Sequence, residues 1–204
     1  MAAYVERELA LTSDAAHALR ELYLRRYGTT LLGLMRHHRV RPAHFLHETH
    51  VLPELEALAH GHPPDFAALG RLPGRKVVLT NAPRDYALRV LRAIGAERHF
   101  DAVFSIEDMS MFGQLRPKPD ARMLRAVAAR LKTHPSRCVL VEDTLQHLKA
   151  ALSIGMATVW MQRWTRRARR KHAGHPPKVG VYLHRRPAYV CARIFSLGEL
   201  RRLL

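Results

Sequence analysis

The sequence predicts an α/β protein whose parallel-sheet core follows a section built only of helices. Three observations carry this. From Pro73-Gly74 onward, short apolar runs alternate with segments of helical period, which is the order of parallel βαβ units with right-handed crossovers. Before Pro73, apolar residues recur at helical spacing and no strand pattern stands out. The composition, 48% hydrophobic and 25% charged, is globular, and 204 residues suit one domain carrying a smaller subdomain. The expected division is a helical subdomain over residues 1–72 and an α/β core over residues 73–204.

Taken in order, Ala15, Leu19, Leu22 and Tyr23 mark a helix, with Ser13-Asp14 as its N-cap and Tyr27-Gly28 as its end. Leu31, Leu32, Leu34 and Met35 begin another helix. Residues 53–60 and 64–69 read as two short helical turns. The run RKVVLT (75–80), stopped by Asn81-Ala82-Pro83, reads as a buried strand. Residues 84–95 place Tyr86, Val90, Leu91 and Ile94 on one helix face, with Gly95 as the C-cap. A strand at 100–106, a helix at 119–131, a strand at 138–142 and a helix at 144–154 follow. Further strands are expected at 157–160 and 189–194, and a last helix at 197–204.

Composition also excludes classes of function. No apolar run reaches the roughly 18 residues that a membrane-spanning helix needs. The opening MAAYVERELAL has no secretory pattern. Cys138 and Cys191 are too few for a disulfide scaffold and sit in no metal spacing, so a reducing cytoplasm is expected. The net charge is +17, which raises nucleic acid or an anionic substrate as partner. Lysine supplies only six of the 34 basic residues and alanine is abundant. That bias reads as the mark of a GC-rich coding sequence rather than of a nucleic-acid surface. Residues 162–187, with RRARRKH at 166–172, read as a mobile basic loop, with a phosphate-binding arm as the functional alternative.

Three strand ends carry residues with chemical potential. Thr80-Asn81 follows VVL, and a hydroxyl with backbone N–H groups there can hold phosphate oxygens. A turn closing the strand is the plainer reading. Lys118 lies between Pro117 and Pro119 on a stiffened backbone. Its ammonium could neutralise a developing phosphoryl charge, or simply be solvated. Glu142-Asp143 follows CVLV. Paired carboxylates at the end of a buried strand need a cation, and hard oxygens suit Mg²⁺, which keeps several waters. N-capping by Asp143 is compatible with that. His44, His47 and His50 recur every third residue, but no Cys or acid completes a zinc set.

Their order resembles that of the haloacid dehalogenase superfamily of phosphohydrolases, and more closely its pyrimidine 5′-nucleotidase branch. The stretches that carry the resemblance are RRYGTTLLGLMRHH (25–38), HFLHETH (44–50), VVLTNAPRDYALRVLRAIG (77–95), RPKPD (116–120), LVEDTLQHLKAA (140–151) and GMATVW (155–160). The resemblance implies a Rossmann-like parallel sheet, with residues 1–72 as a helical cap inserted after the first strand. It implies that Thr80 binds the phosphoryl group through its hydroxyl and Asn81 through its N–H. Lys118 would tie the phosphoryl group to the nucleophile, and Asp143 and Glu142 would hold Mg²⁺. Tyr27, Thr29, Thr30 and His37 become candidates for contacts to a nucleotide substrate, with packing and helix-end duty as alternatives. His147 stands where the superfamily commonly has Asn.

The resemblance also exposes a departure. The superfamily attacks phosphorus with an aspartate in a D-x-D pattern on its first, central strand. No D-x-D occurs among these 204 residues. The expectation is a reading frame begun at an internal methionine, so that the central strand and its nucleophile lie outside this chain and the chain as written is inactive. The expected activity of the complete protein is Mg²⁺-dependent hydrolysis of pyrimidine nucleoside 5′-monophosphates. A phosphatase for sugar phosphates or other small phosphates, and a non-catalytic basic binding protein, stand as alternatives.

Overall fold

The computed structural model describes residues 1–163 and 186–203. The basic stretch 166–172 and most of the expected loop lie outside the described residues. Helices α1 (Ala2–Leu9), α2 (Ser13–Tyr27), α3 (Thr30–His38), α4 (Pro42–His50), α5 (Leu55–Leu58) and α6 (Pro63–Arg71) come first. Then follow β1 (Val77–Leu79), α7 (Arg84–Ala93), β2 (Ala102–Phe104), β3 (Ser110–Met111), β4 (Gln114–Leu115), α8 (Ala121–Arg130), β5 (Val139–Glu142), α9 (Leu145–Leu152), β6 (Ala157–Met161) and β7 (Ala192–Ile194). The last element is a 3-10 helix over Leu197–Arg202, where an α-helix was expected. Its Ser196–Glu199 capping box satisfies the first turn reciprocally. Among the described residues no helix is long and apolar enough to cross a membrane.

Two compact units make up the chain. One comprises Met1–Gly61 and Val77–Lys118, the other His62–Lys76 and Pro119–Leu204. In the first unit, Tyr4, Val5, Tyr23, Leu31, Leu34 and Phe45 from four helices form one core with Ile106. Helix α2 is capped by Thr12, whose hydroxyl oxygen accepts from Ala15 N–H at 3.4 Å, and not by Ser13-Asp14. Gly28 ends it at φ 81, a left-handed conformation that glycine adopts without strain. Leu22, expected on the buried face, is exposed. Gly33 packs so tightly that a Cβ there would lie 2.2 Å from the Tyr23 ring. Helix α4 went unpredicted, as did the hairpin β3–β4. That hairpin turns through Phe112 and Gly113 at φ 50 and 72, and two-residue strands leave no readable period.

Strands β1 and β2 pair in parallel, Val77 with Ala102 and Leu79 with Phe104. In the second unit β5, β6 and β7 form a parallel sheet in that order. Val139 pairs with Ala157, and Met161 with Ile194. Strand β6 is its buried centre, and Trp160 packs there with Leu148 and Val190. Asp65 of α6, 7% exposed, accepts from the Leu197 N–H at 2.9 Å and from the Arg163 guanidinium at 2.6 Å. Through these bonds the buried Asp65 fastens α6 to the C-terminal turn.

One expectation needs correction. The strands at 75–80 and 138–142 are not buried. All three residues of β1 are half-buried, and Val139 at the start of β5 is 38% exposed. Among the described residues β1 pairs only with β2, and β5 only with β6, so each keeps an edge with no strand on it.

Candidate active site

In the first unit the geometry brings Thr80, Asn81 and Lys118 together. The Asn81 side chain spans to the loop before α8. Its Nδ2 donates to the Lys118 carbonyl at 3.0 Å, and its Oδ1 accepts from the Lys118 N–H at 2.9 Å. Both backbone groups of Lys118 are thus fixed by one amide, on a segment already stiffened by the buried Pro117. Lys118 is only 9% exposed. Sequence reasoning gave Asn81 a backbone role alone. The side-chain clamp reaches 37 residues along the chain, and no local signal announces it.

The strand end keeps two donors in reserve. Thr80 N–H closes onto Phe104 O at 2.9 Å. Its Oγ1 accepts from Ala82 N–H at 3.1 Å, which is the turn-closing role, and the hydroxyl proton has no acceptor among the described residues. The Asn81 N–H likewise has no partner there. A hydroxyl, an amide N–H and a buried lysine at one strand end form a donor set suited to an anion.

In the second unit the Glu142 and Asp143 carboxyl groups stay close enough to interact, and they differ in their other partners. Glu142 turns back onto its own chain. Its Oε1 accepts from Asp143 N–H at 3.0 Å and Thr144 N–H at 3.2 Å, and its Oε2 lies 3.1 Å from His147 Nδ1. It therefore closes a tight turn over the two backbone N–H groups just before α9. Asp143 faces solvent, and its Oδ1 accepts from the Thr144 hydroxyl at 3.2 Å. Partial desolvation, then the adjacent Glu142 carboxylate, push the Asp143 carboxyl above its ordinary value. Water screens part of this because the residue is exposed. Trp160 Nε1 donates to the Asp143 carbonyl at 3.1 Å and pins the backbone beneath the carboxylate. His147, the departure noted above, contacts Glu142 and leaves Asp143 alone.

A carboxylate destabilised by a like charge and open to water fits a hydrated dication such as Mg²⁺, which takes few protein ligands. Asp143 meets that description, and Glu142, already engaged, fits contact through water. Among the described residues no cluster of three His, Cys, Asp or Glu forms a closed metal cage.

The remaining candidates have structural duties. Thr29 Oγ1 accepts from Leu32 N–H at 3.2 Å and caps α3. Thr30 is buried at 8% exposure. Tyr27 is half-buried, bonds His37 Nε2 at 2.5 Å, and carries the guanidinium groups of Arg26 and Arg36 each 5.7 Å from its ring. His44 bonds the Tyr4 hydroxyl at 3.0 Å.

Comparison with known proteins fits this geometry. Residues 66–155 match the family of haloacid dehalogenase-like hydrolases. A validoxylamine A 7′-phosphate phosphatase of Streptomyces hygroscopicus subsp. limoneus is 32% identical over 82 residues, which is 40% of this chain. The match spans 36% of that enzyme's own length. Among solved structures, a haloacid dehalogenase-type phosphatase from Thermococcus onnurineus superposes at TM-score 0.56, 20% identical, covering 99% of this chain and 85% of the other. YfnB of Bacillus subtilis, a hydrolase of the same type described as bound to magnesium, gives TM-score 0.50 at 19% identity over 68% and 52%. The chain therefore has the α/β fold of the haloacid dehalogenase-like hydrolases.

Proposed function

We propose that this chain supplies the phosphate-binding and metal-binding residues of a Mg²⁺-dependent phosphomonoesterase acting on pyrimidine nucleoside 5′-monophosphates. The observation that carries the phosphate reading is the strand end of β1, where the Thr80 hydroxyl proton and the Asn81 N–H have no acceptor among the described residues and Asn81 clamps Lys118. Thr80 and Asn81 orient the phosphoryl oxygens. Lys118 offsets the negative charge that builds on the phosphoryl group during transfer. Asp143 holds the metal, with Glu142 acting through water, and bound Mg²⁺ supplies Lewis-acid neutralisation of the phosphate. Tyr27 and its flanking arginines favour an aromatic, anionic substrate.

The attacking aspartate belongs, in this reading, to a strand outside these 204 residues. None of the aspartates in the chain stands two residues from another. Among the described residues β1 and β5 each keep an unpaired edge, which supports it. The apolar runs VVL and VLV are half-exposed or exposed there, as strands awaiting a neighbour would be.

A second reading takes a non-nucleotide small phosphate as substrate, and the curated relative, a phosphatase for validoxylamine A 7′-phosphate, favours it. The experiment is Mg²⁺-dependent phosphate release by the protein purified from its own cells. UMP and CMP are compared with AMP and sugar phosphates. Release from UMP and CMP, lowered at least about 100-fold in Lys118→Ala, is expected. Preference for sugar phosphates would move the reading to the second substrate class. Release from no phosphomonoester would overturn it in favour of a binding protein.

A further inference from the structure

The first unit contains a cavity of about 550 Å³ lined by α4, the start of α7 and residues 106–115. None of Thr80, Asn81 and Lys118 lines it. We propose that this cavity binds an organic cation, an ammonium carried on an apolar or aromatic body, through the unpaired Asp85 carboxylate, the Tyr86 ring and the apolar wall behind them. The inference does not rest on the phosphatase reading.

The charges come first. The chain carries +17, yet the charged groups lining this cavity are Asp85, Glu107 and Arg89. The Arg89 guanidinium is already matched by a two-point pair with Glu56, at 2.9 Å through each nitrogen. Glu107 accepts from the Arg84 N–H with both oxygens at 3.2 Å, which leaves its negative charge uncompensated by any cation in the lining. Asp85 is exposed and makes no hydrogen bond or ion pair among the described residues. The lining is therefore net negative on a strongly basic protein, and it selects against phosphate and other anions.

The walls supply the rest. Leu46, Val51, Ile106 and Leu115 give an apolar surface. The Tyr86 ring meets His50 edge-to-face with centroids 4.9 Å apart, and an aromatic face near a carboxylate attracts a cation by its quadrupole. His50 Nδ1 lies 2.9 Å from the Leu46 carbonyl, which fixes the proton there and leaves Nε2 as an acceptor. Burial pushes the His50 imidazole below the ordinary histidine range, so near neutrality it does not compete as a cation. Such a site combines shape, apolar area and a few polar groups, as small-molecule sites do.

The test uses benzylamine, benzyl alcohol and benzoate as matched probes on the whole 204-residue chain, with binding followed by chemical-shift changes. Benzylamine is expected to bind at least about fivefold more tightly than benzyl alcohol, and benzoate more weakly than either. Asp85→Asn should remove most of the amine's advantage while leaving benzyl alcohol unchanged. Leu46→Trp, which fills the cavity, should abolish both. Equal affinity for amine and alcohol, tighter binding of benzoate, or an amine preference untouched by Asp85→Asn would overturn the proposal. The unfolding midpoint of each variant separates loss of binding from loss of fold.

Discussion

The two units solve the same problem, holding a charged side chain at a strand end, by opposite means. In the first, Lys118 is positioned through its backbone. Asn81 reads both its N–H and its carbonyl, and the ammonium stem is buried between prolines. In the second, two adjacent carboxylates share the strand end and remain in contact. Glu142 is held by the Asp143 and Thr144 N–H groups and by His147, while Asp143 is left in solvent at a raised pKa. A cation can be fixed by clamping its peptide because ammonium needs only placement. A carboxylate pair held side by side instead carries a standing cost, because two like charges at one strand end are unfavourable until a metal arrives. The lesson is that rigidity belongs to the lysine side and electrostatic tension to the aspartate side.

The comparison breaks first at Trp160. This residue is 1% exposed and bonds the Asp143 carbonyl. Trp160→Ala should cost about 3–5 kcal/mol in denaturant unfolding. Trp160→Phe, which keeps most of the volume, should cost far less yet weaken Mg²⁺ binding. If Phe binds Mg²⁺ as wild type does, the indole anchor plays no part in placing Asp143.

Asn81→Ala comes next. It removes two hydrogen bonds from partly buried backbone groups, so about 1–3 kcal/mol should be lost. Asn81→Asp should not rescue it, because a carboxylate oxygen would then face the Lys118 carbonyl. Rescue by Asp would show that the clamp works through the N–H alone.

The open strand edges give a paired test. Val159 on β6 is 4% exposed and Val139 on β5 is 38% exposed. Val159→Ala should cost about 1–2 kcal/mol, and Val139→Ala a few tenths in this chain. In a longer chain whose added strand covers β5, the Val139 cost should rise toward that of Val159.

The smallest effect concerns pH. Asp143 has a folded pKa above its ordinary value. The folded state therefore binds more protons than the unfolded state between those two values. Stability falls as pH rises through that window, and the penalty is complete above the folded pKa. Asp143→Asn should flatten this dependence and give a slightly higher unfolding midpoint at pH 7. Mg²⁺ should raise the midpoint of the wild type and leave Asp143→Asn unmoved. A metal response that survives in Asp143→Asn would place the cation elsewhere.

Much of the core was legible because its signals are local. The runs at 77–79, 139–142 and 157–161 are apolar and stopped by turn residues, so their strands appear within a few positions. Burial of β1 and β5 was misjudged for a physical reason: an apolar run records what a strand expects as neighbours, and not whether they are present. Helix α4 escaped because its first turn starts on Pro42 without a side-chain cap. The Asn81 clamp and the Asp65–Arg163 pair escaped because each joins distant residues, 37 and 98 positions apart. At the site, Thr80, Lys118 and Asp143 could be picked out from their places at strand ends and between prolines. That Glu142 would face inward could not, since two neighbouring carboxylates look alike until a histidine one helical turn later claims one of them.

The most direct measurement is the intact mass of the protein purified from its own cells. The account, in which the attacking aspartate lies on a strand outside these 204 residues, calls for a mass several kilodaltons above the 23.3 kDa of this chain. A mass of 23.3 kDa would contradict it and leave a chain that binds phosphate or cations without hydrolysing them.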